Sequence, residues 1–354
     1  MNDIGDYPLQ VRIGRQELEY GREWVIGNNN SGRNFSGLAF DAIKASYDTD
    51  LYRVDAWFAK LADFTSPGTA ALGLPGIPEK DGDIDLYGVY GTYKGIENLT
   101  IDGYWMYVRN ADNTAGPFFG GSAGGFWDNT DDTITLHTVG GRVAGAWEVG
   151  DGMLDASGEI AFQFGDNGIA DAGGDGGDYG GWAANIMGGY TFTNVQWTPR
   201  VEAEYAYFSG DDDAADNDLD SFVRLFSDVH YGELNVGGNL DGAMTNMHII
   251  RVGASAVPVE KLTLRGDFYY FLLAEDDNDG LGITFGLPQD PALGSIDDAP
   301  GYELDLIADY QYTEDLNLRV GWAHFFADDA VEQSWGAGND DDVDYVYAQA
   351  TLVF

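Results

Sequence analysis

The chain ends in the stretch Asp344-Tyr-Val-Tyr-Ala-Gln-Ala-Thr-Leu-Val-Phe354, in which apolar and more polar side chains alternate. Val346 and Leu352 fall on one face of this stretch, and Gln349 and Thr351 fall on the other. Successive side chains of a β-strand point to opposite faces, so the stretch predicts a strand with two different faces. Soluble antiparallel sheets and membrane barrels both contain such strands, so the recurrence of the pattern along the chain decides between them.

The same alternation recurs in about fifteen segments. Many run to roughly 9–13 residues, which is the length that a tilted strand needs to cross a bilayer, whereas soluble strands are most often about 5–6 residues long. The clearest segments are 52–58, 99–107, 138–148, 154–163, 200–207, 262–272, 302–312, 316–322 and 344–354, with weaker ones near 8–16, 21–27, 37–47, 84–94, 181–192 and 246–255.

The connections between these segments alternate between short and long, as they do in outer-membrane barrels. Short turns are predicted at 48–50, 150–152, 258–261 and 313–315, and long loops at 62–83, 110–132, 164–180, 209–245, 274–300 and 327–341. We therefore predict an all-β fold, a transmembrane antiparallel β-barrel of about 14–18 strands with short periplasmic turns and long acidic extracellular loops. No linker is long and polar enough to separate two domains, so residues 1–354 are predicted to form a single barrel domain.

Composition narrows the functional classes. The 354 residues include no cysteine, which excludes disulfides, thiolate metal sites and thiol nucleophiles. The formal net charge is −43, from 60 acidic and 17 basic residues, and this balance excludes nucleic acid as a partner. Aromatic residues make up 14% of the chain, which is typical of barrels with aromatic girdles.

The polar faces of the predicted strands carry charges of both signs. A buried soluble core does not hold such charges together without a large desolvation cost, so they face water. Two arrangements satisfy this condition: a membrane barrel with a wet lumen, which strand length favours, and a soluble sandwich with the charges on its exterior. The charged positions are Arg53, Asp55, Arg142, Glu159, Glu202, Arg265, Asp267, Glu303, Asp305 and Arg319.

Acidic residues cluster between the alternating segments. Clustered carboxylates suit hard divalent cations, so Ca²⁺ is the one cofactor that the sequence suggests. The alternative is that these runs are solvated loops without a ligand. The candidate Ca²⁺ ligands are Asp211, Asp212, Asp213, Asp276, Asp277 and Asp279.

Signals for catalysis are weak. The chain contains no GxSxG, GxxxxGK or HExxH motif, and its four histidines are scattered. Pairs such as Glu202 and Glu204 arise readily among 60 acidic residues, and a polar lumen explains them as well as acid–base chemistry does. We predict that the protein is not an enzyme.

Several motifs occur in an order that resembles the alginate-export porin family. Arg12-Ile-Gly-Arg-Gln-Glu-Leu-Glu-Tyr-Gly21 is similar to the RxGRQxLxYG opening of that family. The resemblance continues through Gly32-Arg-Asn-Phe35, Phe40-Asp-Ala-Ile-Lys-Ala-Ser-Tyr47, Trp197-Thr-Pro-Arg-Val-Glu-Ala-Glu-Tyr205 and the strand that begins at Tyr302. It implies a monomeric outer-membrane barrel of about eighteen strands that exports alginate, an anionic polysaccharide. Because family members begin with several strands before this opening, we expect those strands to be missing here.

The resemblance also implies that lumenal cations pass the carboxylates of a polyuronate along the pore. For each candidate the alternative is a structural ion pair with a lumenal acid. The strong net negative charge, by contrast, attracts cations. The candidate path residues are Arg12, Lys44, Arg53, Arg142, Arg200, Arg251, Arg265 and Arg319.

The function predicted from the sequence is a channel of the bacterial outer membrane that passes small solutes or an anionic polysaccharide through a polar lumen. A second hypothesis is a structural or adhesive envelope barrel whose acidic loops bind Ca²⁺ or other envelope proteins. A third is a barrel that sheathes a partner protein, such as an electron carrier. The expected partners are thus the lipid bilayer, the transported solute and, through the loops, other envelope proteins.

Overall fold

A computed structural model describes residues 8–28, 37–65, 81–111, 133–170, 176–212, 218–234, 244–276, 297–335 and 341–353. Within these residues the chain forms fifteen strands and one short helix. The strands are β1 (Leu9–Gln16), β2 (Phe40–Asp48), β3 (Tyr52–Thr65), β4 (Asp81–Ile96), β5 (Leu99–Asn110), β6 (Ile134–Val149), β7 (Gly152–Ala170), β8 (Gly176–Tyr179), β9 (Trp182–Thr191), β10 (Arg200–Phe208), β11 (Met247–Val259), β12 (Leu262–Leu273), β13 (Gly301–Gln311), β14 (Leu316–Ala327) and β15 (Val343–Leu352), and the helix α1 is Asp329–Trp335.

The strands form one antiparallel meander. Each strand from β1 to β7 pairs with the next, β7 pairs with β9, and the sequence order continues to β15, while β8 pairs with β7 alone. The two edges of the described sheet are β1 and β15, and no described pairing joins them. The strand number and the antiparallel all-β class are as predicted, and the sheet is open between its edges.

The predicted alternation of connections is confirmed. Two residues join β4 to β5, β6 to β7 and β11 to β12, whereas the 38 residues 209–246 separate β10 from β11. Some strands are longer than predicted, because β3 and β4 extend into the expected loop 62–83 and β7 extends into 164–180. Backbone pairing continues there beyond the alternating side chains, since the ladder itself does not require an apolar face.

The two faces of the sheet are inverted relative to a soluble protein. Large apolar side chains stand exposed on the outer face, for example Ile13 at 75% and Val346 at 68%. Charged side chains are buried on the inner face, for example Asp305 at 1% and Arg251 at 5%. A sandwich has the opposite arrangement, so the sandwich alternative is wrong and the apolar face is the one that meets lipid. No helix in the described part of the chain is long and apolar enough to span a bilayer.

An aromatic row crosses the outer face at the end of the strands that adjoins the long loops. Phe58, Tyr87, Tyr107, His137 and Phe164 occupy matching positions on β3 to β7. Neighbouring ring centroids along this row lie 5.1, 5.7, 4.5 and 5.0 Å apart. Such rows are the aromatic girdles that position a barrel at the membrane interface.

Two stretches without regular structure lie inside the curled sheet. We call residues 17–28 the first inner segment and residues 218–234 the second inner segment. They pair through a parallel bridge between Ile26 and Phe226, and Trp24 donates a hydrogen bond of 3.0 Å to the Tyr231 hydroxyl. The weak strand predicted at 21–27 is therefore wrong, because its apolar residues pack inside the barrel and do not join the sheet.

Candidate lumenal site

The inner wall beneath the inner segments carries a continuous network of charges. Period-2 geometry and strand register bring Glu204 of β10 beside Arg251 of β11, and place Gly253 between Glu202 and Asp267. A Cβ atom on Gly253 would stand 3.1 Å from Arg251 Nη2 and 3.2 Å from Glu202 Cγ. Because Gly253 has no side chain, the Arg251 guanidinium has enough space to contact three carboxylates.

Arg251 is the centre of this network. Its Nη1 lies 3.1 Å from Glu204 Oε2, its Nη2 lies 2.8 Å from Asp267 Oδ1, and it also binds Glu202. The Arg251 guanidinium stands 5.9 Å from the centroid of the Tyr269 ring, so a cation–π contact adds to the ion pairs. Charge-assisted bonds of this kind are the strong ones in protein interiors.

Three more arginines complete the network. Arg200 pairs with Asp155 at 2.5 Å and with Glu202 at 3.0 Å, and Arg265 pairs with both Asp267 and Glu202. Arg22 of the first inner segment reaches the wall, where its Nη2 lies 2.7 Å from Glu204 Oε1. The network joins four guanidinium groups to four carboxylates, so its charges balance; the members are Arg22, Arg200, Arg251, Arg265, Asp155, Glu202, Glu204 and Asp267.

Burial changes the acidity of groups on the inner segments. Burial lowers the pKa of the Arg22 guanidinium, but the charge of Glu204, the hydrogen bond to Glu204 and the nearby Tyr231 together outweigh this effect, so the pKa is raised overall. Burial raises the pKa of the Tyr231 hydroxyl, and the charge of Glu204 raises it further. Arg22 is therefore charged, and Tyr231 is neutral, under all physiological conditions.

A second polar cluster lies where the first inner segment meets β3 and β4. The Tyr20 hydroxyl donates a hydrogen bond of 2.8 Å to Asp55, and Tyr20 stacks on Trp57 and Tyr90 with centroid separations of 4.9 and 4.6 Å. Gly21 follows with φ of +60°, and a Cβ there would lie 2.8 Å from the Tyr90 hydroxyl. Glycine is thus required for the close approach of the first inner segment to the wall.

A cavity of about 290 Å³ opens beside Tyr20, at the end of the strands that carries the short turns. Its lining combines the aromatic rings of Tyr20 and Tyr90 with the cations Arg53 and Lys94. Lys94 pairs with Asp48 at 2.7 Å, close to the turn between β2 and β3. The arrangement forms a polar mouth with aromatic surfaces on the turn side of the lumen.

The eight predicted path residues divide into two groups. Six arginines are paired with carboxylates, including Arg53 with Asp55 at 2.9 Å, Arg142 with Asp102 at 2.7 Å and Arg319 with Asp309 at 2.7 Å. Arg12 and Lys44 face each other in the register of β1 and β2, and no carboxylate of the described residues lies within ion-pairing distance of either. The Lys44 ammonium stands 5.8 Å from the Tyr20 ring centroid.

The residues that the inner segments supply were not predicted from the sequence. Arg22, Tyr20 and Arg224 are absent from the predicted path, although Arg224 is 1% exposed and lies between the rings of Phe208 and Tyr231, at 5.1 and 5.4 Å. No pattern in the sequence singled out Arg22, which stands between Gly21 and Glu23. Contacts between loops and a distant wall leave no periodic trace in a sequence.

The predicted Ca²⁺ ligands are only partly described. Asp211 and Asp212 present carboxylate oxygens that lie, with one from Asp220, within 4.8 Å of one another. Asp220 was not among the predicted ligands, and seven residues separate it from Asp212 in the chain. Asp276 is described outside this group, and the remaining candidates Asp213, Asp277 and Asp279 lie outside the described residues.

Comparisons with known proteins agree with this geometry. A family model described as alginate export matches residues 1–343. The fold is similar to Pseudomonas aeruginosa OccK10 (OpdN), at a TM-score of 0.56 and 13% identity over 98% of this chain and 82% of that one. It is similar to the outer membrane protein OprD of the same organism, at 0.55 and 14% over 96% and 75%, and to OccK5 (OpdH), at 0.53 and 15% over 98% and 79%. No curated protein matches.

Proposed function

We propose, from the premise that the chain belongs to the alginate-export family, that it is a passive channel for hydrophilic solutes. The protein lies in the outer membrane of a bacterial cell, as its family does. The observation that carries the proposal is the inversion of the sheet, with apolar side chains outside and paired charges inside. A face lined by ionised groups holds water, and water-filled interiors conduct polar solutes across a bilayer.

The transport step needs no chemistry. Solutes diffuse along weak polar sites, because tight sites would hold the cargo and stop conduction. The inner segments narrow the path, and their contacts with the wall determine its width. In the balanced network around Arg251, a passing carboxylate has to displace an existing partner, so the paired arginines act as exchange sites.

We further propose an anionic polysaccharide as the cargo on the β1–β2 side of the lumen. Arg12 and Lys44 support this proposal, because they stand side by side without a described carboxylate partner. The partly buried Tyr20 ring lies nearby, and the Lys44 ammonium stands over it. A uronate chain carries regularly spaced carboxylates, which this pair of cations fits.

The test is conductance across a planar bilayer, with an oligouronate added. We expect a stable ohmic conductance that oligouronate blocks, and a block that weakens about fivefold in Lys44→Gln, the effect of about one lost charge contact. Lys261→Gln is the matched control, since Lys261 lies in the exposed turn between β11 and β12. Equal block in both variants, or no block, contradicts the polysaccharide cargo. A conductance that oligouronate does not block supports the channel and contradicts an anionic polysaccharide as its cargo.

The structural or adhesive alternative rests on one observation, the approach of Asp211, Asp212 and Asp220. We propose that Ca²⁺ binds to this group if the loops carry the function of the protein, since carboxylate oxygens are the preferred ligands of Ca²⁺. Under this alternative, Ca²⁺ raises the thermal stability and the conductance is negligible. A channel that conducts equally with and without Ca²⁺ contradicts it.

A further inference from the structure

Three carboxyl groups meet in the interior at a place that the channel proposal does not use. Glu303 and Asp305 stand two residues apart on the inner face of β13, and Glu233 comes from the second inner segment. Their exposed fractions are 0%, 1% and 1%. Among the described residues, no Lys, Arg or His lies within ion-pairing distance of Glu303 or Asp305. Charged carboxylates are not buried in this way without compensation.

The second inner segment is held on this pair by its backbone. The Leu234 amide donates to Glu303 Oε1 at 2.8 Å, and the Glu233 amide donates to Asp305 Oδ2 at 3.1 Å. Gly232 precedes them with φ of +93°, and a Cβ there would stand 2.5 Å from Glu303 Oε2. The left-handed glycine therefore allows the chain to lie directly on the wall.

Each carboxyl group of the pair has one oxygen left over. Glu303 Oε2 and Asp305 Oδ1 are buried and have no hydrogen-bond partner among the described residues. The two side chains are within hydrogen-bond reach of each other. Two ionised carboxylates so close repel strongly, whereas one proton between them turns one group into a donor and supplies both oxygens with a partner.

The surroundings do not offer another source of compensation. Across β12, Asp267 stands opposite Asp305 and is already held by Arg251 and Arg265, while Tyr269 stands opposite Glu303. On β14 the opposite residues are the uncharged Ala323 and Phe325. The other ionisable groups that face the pair are Glu233 of the second inner segment, Tyr347 of β15, whose hydroxyl donates to Glu233 Oε2 at 2.6 Å, and Arg319 of β14, which pairs with Asp309.

We propose that Glu303 and Asp305 share one proton and that this shared proton latches the second inner segment onto the barrel wall. Loss of the proton to water leaves two adjacent anions beside the carboxyl group of Glu233. Their repulsion releases Glu233 and Leu234 from β13. Because the second inner segment lies inside the barrel and also contacts β9 through Tyr231 and Asn185, its release at the β13 end widens the lumen.

The experiment measures the accessibility of the second inner segment as the pH rises. The chain has no cysteine, so Leu234→Cys and the reference Asn194→Cys, in the exposed turn between β9 and β10, each give a single thiol. An impermeant maleimide labels the refolded protein in liposomes from about pH 5 to about pH 10, the span in which buried carboxyl groups lose their protons. The ratio of the two labelling rates removes the effect of pH on the thiol itself.

We expect the ratio to rise by about tenfold per pH unit while the shared proton is being lost, the slope for one proton, and to level off once the pair is fully ionised. Glu303→Gln, and separately Asp305→Asn, keep a donor at the latch without a titratable proton, so the ratio stays low and flat. Asp309→Asn, on the same face of β13, retains the rise. Unchanged mobility of the unheated protein in gels shows that each variant is folded.

The latch is overturned by a ratio that stays flat in the unsubstituted background, or by a rise that persists in both Glu303→Gln and Asp305→Asn. A ratio that follows the concentration of a metal ion at constant pH also overturns it, because a cation then occupies the place of the proton. Conductance is recorded in parallel, since widening of the lumen rests on the proposed channel function. A rise in labelling without any conductance supports the latch and refutes the channel.

Discussion

Replacing Arg251 by methionine removes the cation that the buried Glu204 and Asp267 share with the half-buried Glu202. Arg251 is 5% exposed, and Glu204 and Asp267 are 4% and 2% exposed. Breaking a buried ion pair from one side costs about 3–5 kcal/mol, because the remaining charge loses its compensation. Glu204 keeps Arg22, Asp267 keeps Arg265, and Glu202 keeps Arg200. We therefore expect the low end of that range, about 3 kcal/mol, as the loss in the free energy of unfolding.

The assay is urea unfolding of the refolded protein in liposomes, followed by the fluorescence of its nine tryptophans. Arg251→Lys keeps the positive charge but not the planar set of guanidinium donors, so it should lower the free energy of unfolding by about half as much as Arg251→Met does. The matched control is Arg15→Met, because Arg15 pairs with Asp41 on the exposed part of β1 and β2. If Arg251→Met costs no more than Arg15→Met, the network does not stabilise the wall and the reasoning fails.

Further substitutions and a ligand test extend these expectations. Gly253→Ala crowds the Arg251 guanidinium and should cost about 1–3 kcal/mol in the same unfolding assay, whereas Gly103→Ala, with no atom within 4 Å of the added Cβ, should be close to neutral. Trp24→Ala should cost about 3–5 kcal/mol and raise single-channel conductance, since it removes a buried ring from the first inner segment. Ca²⁺ should raise the melting temperature under the loop-binding alternative, and Asp220→Asn should abolish that rise; an equal rise in both proteins would contradict binding there.

Sequence periodicity predicted most of the sheet, because strand geometry is local. The alternation at 262–272 became β12, and that at 302–312 became β13, within one residue at most ends. The short turns were also predicted, because they lie between consecutive alternating segments. Side-chain alternation could not predict how far the backbone pairing of a strand continues once its side chains no longer alternate. β7, for example, continues to Ala170 through Asp166 and Asn167.

Most of the lumenal site depends on contacts between distant parts of the chain. Arg251 was predicted to face the lumen, but its partner Glu204 lies 47 residues away, and Arg22 reaches Asn185 across 163 residues. Residues 21–27 were predicted to form a strand because their side chains alternate. A segment that packs against the inner wall also needs one apolar side, so the same pattern arises there without a strand. Glu233 gave no signal, since the backbone of its segment, and not its side-chain pattern, binds β13.

The central claim is that the charged face of the sheet lines water and the apolar face meets lipid. Ser255→Cys on the inner face of β11 and Val252→Cys on its outer face test it directly, in a chain with no other cysteine. In liposomes, a polar maleimide should label only Ser255→Cys, and a bimane probe should be quenched by brominated lipid only at Val252→Cys. Labelling and quenching in the opposite pattern, or labelling of both positions, would contradict the account.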